Sequence, residues 1–251
     1  MKILGSDYDG TLNYGGIRES KLFAIRKWRS AGHKIGVVTG RGKGFREALL
    51  QQSPQLRLDF FVECTGGYIV DEDGAVIYEA RCNDVPLSEL VADLFDFGCK
   101  FAHIHSAHYM CVVASKKDVP SDVSEEDAYL LKECPRVDYF NQVSVMLPSV
   151  EEASAVVQKI NDQYSNRLSP LQNEMCIDIV PAGVNKAQGM YRVMEFFGCS
   201  QEDVITVGDN INDVDMIRAF HSYAMNNGVD EIKRLADGLV RDITEIFDRE
   251  L

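Results

Sequence analysis

The sequence predicts an α/β protein in which a doubly wound parallel sheet carries a smaller α+β unit as an insertion. Short apolar segments alternate with amphipathic helical segments at both ends of the 251-residue chain. This rhythm is typical of a parallel sheet with helices on both faces. Between residues 81 and 180 the rhythm breaks into short strand-like pairs. We therefore expect one core built from 1–80 and 181–251, with 81–180 inserted into it.

The N-terminal part of the core has the clearest periodicity. Leu22, Ile25 and Trp28 recur at helical spacing, and Gly32 then supplies a helix C-terminus. The predicted elements in this part are a strand at 2–6, a helix at 20–31, a strand at 34–38, a helix ending near 51, and a strand at 60–64.

The middle of the chain has a different pattern. The turn sequence DEDG at 71–74 separates two short apolar runs and predicts an antiparallel hairpin. The other predicted elements here are helices at 87–97, 125–132 and 151–164, and strands at 101–105, 109–114, 143–147 and 175–180.

The parallel rhythm returns after the insertion. A helix is predicted at 186–197, closed by Gly198, and an apolar strand follows at 204–207. The remaining predicted elements are a helix at 214–220, a strand at 222–225 and a helix at 231–236.

Composition narrows the range of functions. The chain is 45% hydrophobic and 26% charged, and it lacks an apolar run long enough to span a membrane. Its N-terminus, MKILGSDYDG, has no hydrophobic signal core, so we expect a cytoplasmic protein. The formal net charge of −13 argues against nucleic acid or an anionic membrane as a partner. The seven cysteines lack CxxC spacing, which favours reduced thiols over a disulfide framework or a zinc site.

Three predicted core strands end in unusual polar segments, at 7–11 (DYDGT), 39–41 (TGR) and 208–213 (GDNIND). The carboxyl ends of strands in an open parallel sheet converge on one crevice, where ligands bind. Carboxylates gathered there would repel one another unless a hard divalent cation joined them, and oxygen ligands favour Mg²⁺ over zinc. Lys186, at the start of a predicted helix, brings a positive charge to the same crevice. The four carboxylates are those of Asp7, Asp9, Asp209 and Asp213.

The order of these segments resembles the haloacid dehalogenase superfamily: DYDGTL, then VTGR, then a lysine after the insertion, then GDNIND. More narrowly, the chain is similar to Cof-type phosphatases, in which a large α/β (type IIB) cap domain lies between the second and third motifs. The resemblance covers the whole chain. The sequence departs from the family at 64–67 (CTGG), where Cof-type members usually have Asn-Gly-Ala. A substrate contact made by that asparagine is therefore not implied for this chain.

The resemblance implies a phosphatase that acts on a small phosphomonoester, such as a phosphosugar, through a covalent intermediate. Asp7 would attack phosphorus and become the aspartyl-phosphate. Asp9 would protonate the leaving alkoxide and then activate the hydrolytic water. Thr39 and Lys186 would hold the phosphoryl oxygens in the transition state.

The resemblance also implies a magnesium site. The ligands would be the Asp7 and Asp209 carboxylates and the Asp9 backbone carbonyl, with Asp213 nearby, either as a ligand through water or as an orienting residue. Asn212 would help to orient these ligands and contact substrate. The further residues expected at the phosphate are Gly40 and Arg41, with Lys43 as an additional candidate.

Two alternatives remain open from the sequence. The first is a sugar phosphomutase with the same core, which would move phosphate instead of releasing it. The second is a phosphoaspartate receiver or sensor without turnover, which also uses acidic residues, magnesium, threonine and lysine. Receivers have no task for Asp9 and no insertion of this size, so the sequence favours an enzyme.

In the insertion, Phe101, His103 and His105 alternate on one face of a predicted strand, and His108 and Tyr109 follow. Such a face is either a half-exposed sheet surface or a lid that contacts the leaving group of the substrate. The sequence does not choose between these two roles.

Overall fold

The chain divides into two compact units, each described here by itself. The core unit comprises Met1–Glu79 and Asn185–Leu251, and the inserted unit comprises Ala80–Val184. That they are separate folding domains stays a prediction. The computed structural model describes residues 1–106, 110–115, 118, 120, 128–129, 134 and 136–251.

The described elements number from the N-terminus. The strands are β1 (Ile3–Ser6), β2 (Lys34–Val38), β3 (Phe60–Glu63), β4 (Tyr68–Asp71), β5 (Val76–Glu79), β6 (Phe101–Ser106), β7 (Met110–Ala114), β8 (Ala128–Tyr129), β9 (Phe140–Met146), β10 (Leu168–Asn173), β11 (Cys176–Pro181), β12 (Val204–Gly208), β13 (His221–Met225) and β14 (Gly238–Val240). The helices are α1 (Glu19–Ser30), α2 (Phe45–Gln52), α3 (Leu87–Asp96), α4 (Val150–Tyr164), α5 (Lys186–Phe197), α6 (Val214–Ala219), α7 (Asp230–Leu235) and α8 (Thr244–Glu250).

The core unit is built on an eight-stranded sheet in the order β14-β13-β12-β1-β2-β3-β4-β5. The six strands from β14 to β3 are parallel, whereas β4 and β5 form the predicted antiparallel hairpin. The chain starts in the middle of the sheet at β1, builds outward through β2 and β3, and later returns to β12 on the other side. The strand order therefore reverses between β1 and β12, which is where doubly wound proteins bind ligands.

Both faces of the core sheet are buried, which explains why its strands are apolar without alternation. Leu4 packs with Trp28 and Phe247 on the face covered by α1, α2 and α8. Its neighbour Ile3 points to the other face and packs with Met190 and Met216 of α5 and α6. The core unit is thus a three-layer sandwich of helices, sheet and helices.

The inserted unit is a six-stranded sheet in the order β10-β11-β9-β6-β7-β8. Its pairs are antiparallel apart from β7 with β8. One face packs against α3 and α4 through an apolar cluster that includes Leu90, Ile104 and Val156. Within the described residues, no helix has the length and apolarity that a membrane span requires.

Several element predictions need correction. The helix predicted at 125–132 is wrong where it is described, because Ala128–Tyr129 pairs as a strand with β7. The other residues of that range, together with His108 and Tyr109, lie outside the described residues. The sequence analysis also missed β10, β14 and α8. In β10, Pro170 argues against a central strand but is compatible with the edge position that this strand occupies.

Candidate active site

The three polar segments singled out in the sequence follow three adjacent strands. Asp7 directly follows β1, Thr39 follows β2, and Asp209 follows β12. The backbone N–H of Asp7 donates to the carbonyl of Val207 at 2.9 Å, which extends the β1–β12 pairing to the last residue before the loop. All three segments therefore leave the same edge of the sheet, at the point where the strand order reverses.

Lys186 lies at the centre of a buried ionic group. It is the first residue of α5, its side chain is fully buried, and its Nζ donates to Asp7 Oδ1 at 2.7 Å and to Asp213 Oδ1 at 2.6 Å. Asn185 caps the helix by accepting the N–H of Gln188, so the position of Lys186 is set by the start of the helix. One ammonium thus joins the first and last motifs.

Asp213 is held from both of its carboxylate oxygens. Oδ1 accepts from Lys186, while Oδ2 accepts the backbone N–H groups of Asp209 at 3.0 Å and Asn210 at 3.1 Å. Both oxygens are thus already engaged by protein donors. This arrangement favours an orienting role, or contact through water, over direct coordination of a cation.

The electrostatics of this group reflect its burial. Desolvation and the charge of Asp213 raise the pKa of Asp7 well above its usual range, although Lys186 opposes the change. Desolvation alone would lower the pKa of Lys186, but the charges of Asp213 and Asp7 outweigh it and raise that pKa. Burial also raises the pKa of Asp209. The site therefore carries more buried negative charge than its one lysine compensates.

The donor set fits a hard divalent cation. Asp7, Asp209 and Asp213 each offer a carboxylate oxygen, and these atoms lie within 4.8 Å of one another. All the donor atoms that this cluster offers are oxygens, the type that Mg²⁺ prefers. The excess negative charge described above is what a divalent cation would neutralise.

The loop after Asp7 folds closely around Asp209. Gly10 has a φ of +78°, and a Cβ at this position would collide with the Asp209 carboxylate, so glycine is required here. Thr11 Oγ1 donates to Asp209 Oδ1 at 2.7 Å, and Asn227 Nδ2 donates to the Gly10 carbonyl at 2.9 Å. The loop of the first motif is thus tied to the strand ends of the last.

Asp9 faces outward and pairs with Arg41. The guanidinium Nε and NH2 each lie 2.8 Å from one oxygen of the Asp9 carboxylate, a two-point pairing. The guanidinium also lies over the rings of Tyr8 and Phe45, at 5.2 Å and 5.4 Å from their centroids. The side chains of Asp9 and Arg41 remain 56% and 53% exposed.

The second motif, Thr39-Gly40-Arg41, lies beside the first and last motifs at the same edge of the sheet. The Thr39 side chain is buried, and its hydroxyl accepts the backbone N–H of Arg41 at 3.1 Å. The carbonyl of Thr39 accepts the N–H of Thr65, a β-branched residue held at a φ of +53°.

The other residues predicted near the phosphate differ in their surroundings. Gly40 and Asn212 are half-buried on their respective turns. Lys43 is directed elsewhere, since its Nζ pairs with Glu79 at 3.1 Å.

Sequence analysis missed two contributors to the site, the Thr11 hydroxyl and Asn227, and also a buried lysine close to the first motif, Lys21. Thr11 was part of a motif without an assigned task, and nothing in the local sequence around Asn227 indicates its contact. Lys21 had a detectable signal, because it lies four and seven residues before Ile25 and Trp28 on the apolar face of α1.

Comparison with known proteins identifies the family of this chain. Residues 4–245 match the family model of haloacid dehalogenase-like hydrolases. The chain belongs to the haloacid dehalogenase-like hydrolase family, and the predicted enzyme class, a phosphatase of this type, is confirmed.

Two curated relatives cover nearly the whole chain. The 5-amino-6-(5-phospho-D-ribitylamino)uracil phosphatase YitU of Bacillus subtilis is 35% identical, over 98% of this chain and 97% of YitU. The pyridoxal phosphate phosphatase YbhA of Escherichia coli is 24% identical, over 97% of this chain and 94% of YbhA. These relatives act on different phosphate esters.

Solved structures share the fold. The subclass IIB sugar phosphatase BT4131 has a TM-score of 0.79 at 20% identity, covering 99% of this chain and 98% of that one. A haloacid dehalogenase-like hydrolase from B. subtilis has a TM-score of 0.80 at 15% identity, with full coverage of both chains. The predicted fold class, a doubly wound α/β core with an inserted α+β unit, is confirmed.

Proposed function

We propose that the protein is a magnesium-dependent phosphatase that hydrolyses a small phosphorylated metabolite through an aspartyl-phosphate on Asp7. The observation that carries this proposal is the buried Lys186, bonded to both Asp7 and Asp213 beside a cluster of carboxylate oxygens. A structural ion pair would need one carboxylate. Three carboxylates around one lysine, at the strand ends of a doubly wound sheet, suit a site that handles phosphate and a cation.

In the first chemical step, an Asp7 carboxylate oxygen attacks phosphorus and the bond from phosphorus to the ester oxygen breaks. Asp9 gives its proton to that oxygen, so the substrate leaves as an alcohol. In the second step, Asp9 takes a proton from water as the water oxygen attacks phosphorus. The bond between phosphorus and Asp7 then breaks, which releases inorganic phosphate and restores the free Asp7 carboxylate.

Lys186 and Thr39 stabilise the phosphoryl oxygens during both steps. The ammonium is already desolvated, so its charge acts at low local dielectric and needs no rearrangement. Magnesium, when bound, would supply a second positive charge next to the transferring phosphoryl group. Asp7, Asp209 and the backbone carbonyl of Asp9 would hold it, with Asp213 and Asn212 orienting these groups.

The sheet of the inserted unit carries a row of polar side chains that suits a role in substrate recognition. His103, Ser144 and Asp178 are register partners on three adjacent strands. Ser144 Oγ donates to Asp178 Oδ1 at 2.7 Å, and Gln142 Nε2 donates to Ser144 Oγ at 2.8 Å. This polar row suits a hydroxyl-rich group such as a sugar or polyol. The predicted lid role of this face stays a prediction.

Release of inorganic phosphate tests the proposed function. The purified protein should be assayed against phosphosugars, pyridoxal phosphate, flavin mononucleotide and an aryl phosphate, with magnesium and with chelator. We expect turnover with magnesium, none with chelator, and inhibition by excess calcium, which prefers more ligands at longer distances than magnesium does.

Matched variants make the assay specific. Asp7→Asn should abolish turnover while the protein stays folded, whereas Asp230→Asn, at a carboxylate 91% exposed, should leave turnover unchanged. Retention of more than a few per cent of activity by Asp7→Asn would eliminate Asp7 as the nucleophile. Isomerisation of a hexose phosphate without phosphate release would identify a phosphomutase, and a stable phospho-protein without turnover would identify a receiver.

A further inference from the structure

Lys21 is a buried lysine that the proposed chemistry does not use. It lies in the first turns of α1 and its side chain is 2% exposed. Burying an ammonium is costly unless hydrogen bonds or an opposite charge compensate it. Its place among the apolar residues of α1 therefore requires an explanation.

The ammonium of Lys21 is bound by the backbone that follows the first motif. Nζ donates to the carbonyl of Leu12 at 2.8 Å and to the carbonyl of Tyr14 at 3.0 Å. Asp242 Oδ2 lies 3.4 Å away and supplies the opposite charge. Asp242 is itself fixed, because its Oδ1 accepts the N–H of Thr244 at the start of α8.

These contacts fall on one end of the loop that carries both aspartates. Asp7 is anchored independently of Lys21, by the β1–β12 pairing and by Lys186. Asp9 lies two residues further on, and its mostly exposed carboxylate pairs with Arg41, whose side chain is itself 53% exposed and therefore a weak anchor. The loop returns through Leu12, whose N–H bonds back to the Asp7 carbonyl at 3.0 Å. Lys21 binds this returning part of the loop.

We propose that Lys21 is a positioning residue for Asp9. By binding the Leu12 and Tyr14 carbonyls, it fixes the returning end of the loop and thereby the placement of the Asp9 carboxylate, while Asp7 depends on other contacts. This inference rests on the proposed function, because it concerns the proton transfers assigned to Asp9. It makes a distinctive demand: loss of Lys21 should impair the work of Asp9 more than that of Asp7.

Two substrates separate these effects. An alkyl phosphate needs a proton on its leaving oxygen, whereas an aryl phosphate with a good leaving group needs little help from Asp9. The rate of Asp7 phosphorylation should be measured for both in single-turnover experiments, and the alkyl-to-aryl ratio calculated for each variant. Because both rates come from one preparation, the ratio does not depend on the folded fraction.

Lys21→Met removes the donors and keeps most of the apolar stem. We expect it to lower the alkyl-to-aryl ratio by about tenfold, in the same direction as Asp9→Asn but less far, since small misplacements of a catalytic group are costly. Lys27→Met, an exposed lysine on the same helix, should stay within about twofold of the wild type, as surface changes usually do. If Lys21→Met does not fold, Lys21→Gln, which is shorter and neutral, provides the same comparison.

The outcomes distinguish the two proposals. A wild-type ratio in the folded Lys21 variant, together with a lowered ratio in Asp9→Asn, overturns the role of Lys21 and leaves the proposed function standing. An unchanged ratio in Asp9→Asn contradicts the acid role on which both proposals depend. A lowered ratio in both variants, with Lys27→Met unchanged, supports Lys21 as a positioning residue.

Discussion

Two carboxylates separated by one residue in the sequence have opposite surroundings. Asp7 pairs with Lys186, and both side chains are buried, at 9% and 0% exposure. Asp9 pairs with Arg41, and both side chains are more than half exposed. We call these the inner pair and the outer pair. Their geometry is similarly close, with N···O distances of 2.7 Å and 2.8 Å, so distance does not distinguish them.

The pairs differ in the solvent exposure of their side chains. Removing one partner of a buried pair leaves an uncompensated charge at low dielectric, which is strongly destabilising. An exposed pair is screened by water and salt, and it contributes about 0–1 kcal/mol. The inner pair therefore suits groups that must stay fixed. Under the proposed function, the outer pair suits groups that exchange partners when a phosphate ester binds.

Lys186→Met should give the largest effect, because it removes the ammonium both from the inner pair and from Asp213. We expect activity to fall by at least about a thousandfold. Without divalent cation, the free energy of unfolding should fall by about 3–5 kcal/mol. Urea unfolding in chelator and phosphate-release assays measure the two effects. Lys233→Met, which removes a more exposed lysine, provides the control. Activity within tenfold of the wild type would contradict the assignment of Lys186.

Asp213→Asn should have the next largest effect. The amide cannot accept from Lys186 and from two backbone N–H groups at once, so we expect the free energy of unfolding to fall by about 2–4 kcal/mol. The magnesium concentration needed for activity should rise about 10–100-fold. Asp9→Asn is the matched comparison in the outer pair, and it should change stability by less than about 1 kcal/mol. Equal losses in the two variants would remove the contrast between the pairs.

Glu63 tests what burial does to a carboxyl group to which no ammonium is bonded among the residues that the structure describes. It is 1% exposed and accepts the backbone N–H of Arg46 at 2.7 Å, at the start of α2. Burial raises its pKa from 4.5 to about 7. Folding therefore favours the protonated form, and the contribution of Glu63 to stability is greatest at low pH. It is lost as the pH rises from 4.5 through about 7.

Glu63→Gln should remove this pH dependence. Relative to the variant, the wild type should lose about 2–3 kcal/mol of unfolding free energy between pH 4.5 and 7.5. Denaturant unfolding of both proteins across this range measures the difference curve. Glu47→Gln, at a carboxylate 66% exposed on α2, should give a flat difference curve. A flat curve for Glu63→Gln as well would mean that Glu63 titrates like an exposed carboxyl group.

Arg41→Met should have the smallest effect on stability and a selective effect on substrate. The free energy of unfolding should change by less than about 1 kcal/mol, as for Arg26→Met, which breaks an exposed pair with Glu19. The KM for phosphate esters should rise by about tenfold, because the expected contact between the Arg41 guanidinium and phosphate would be lost. This rise should shrink at high salt. An unchanged KM at low salt would show that Arg41 serves Asp9 alone.

The closeness of Asp7, Asp209 and Lys186 could be predicted from the sequence, because these residues lie at the ends of core strands and at the start of a helix. Asp7 and Asp209 each follow a buried parallel strand, and such ends must converge wherever the strands meet in the sheet. The position of Lys186 could be predicted because this residue begins the first helix after the insertion. The roles of these residues remain predictions, but their proximity in space required only the fold class.

The sequence by itself determined the fold class, the family and the residues that gather where the strand order reverses, because periodicity and motif order encode them locally. Only the tertiary structure decided that Asp9 meets Arg41 and that Lys21 is buried against the Leu12 and Tyr14 carbonyls. It also decided that Pro170 lies in a strand. These features depend on which partner a loop or an edge finds across the fold. The solvent exposure of each charge, which separates the inner pair from the outer pair, arises only when distant segments pack together.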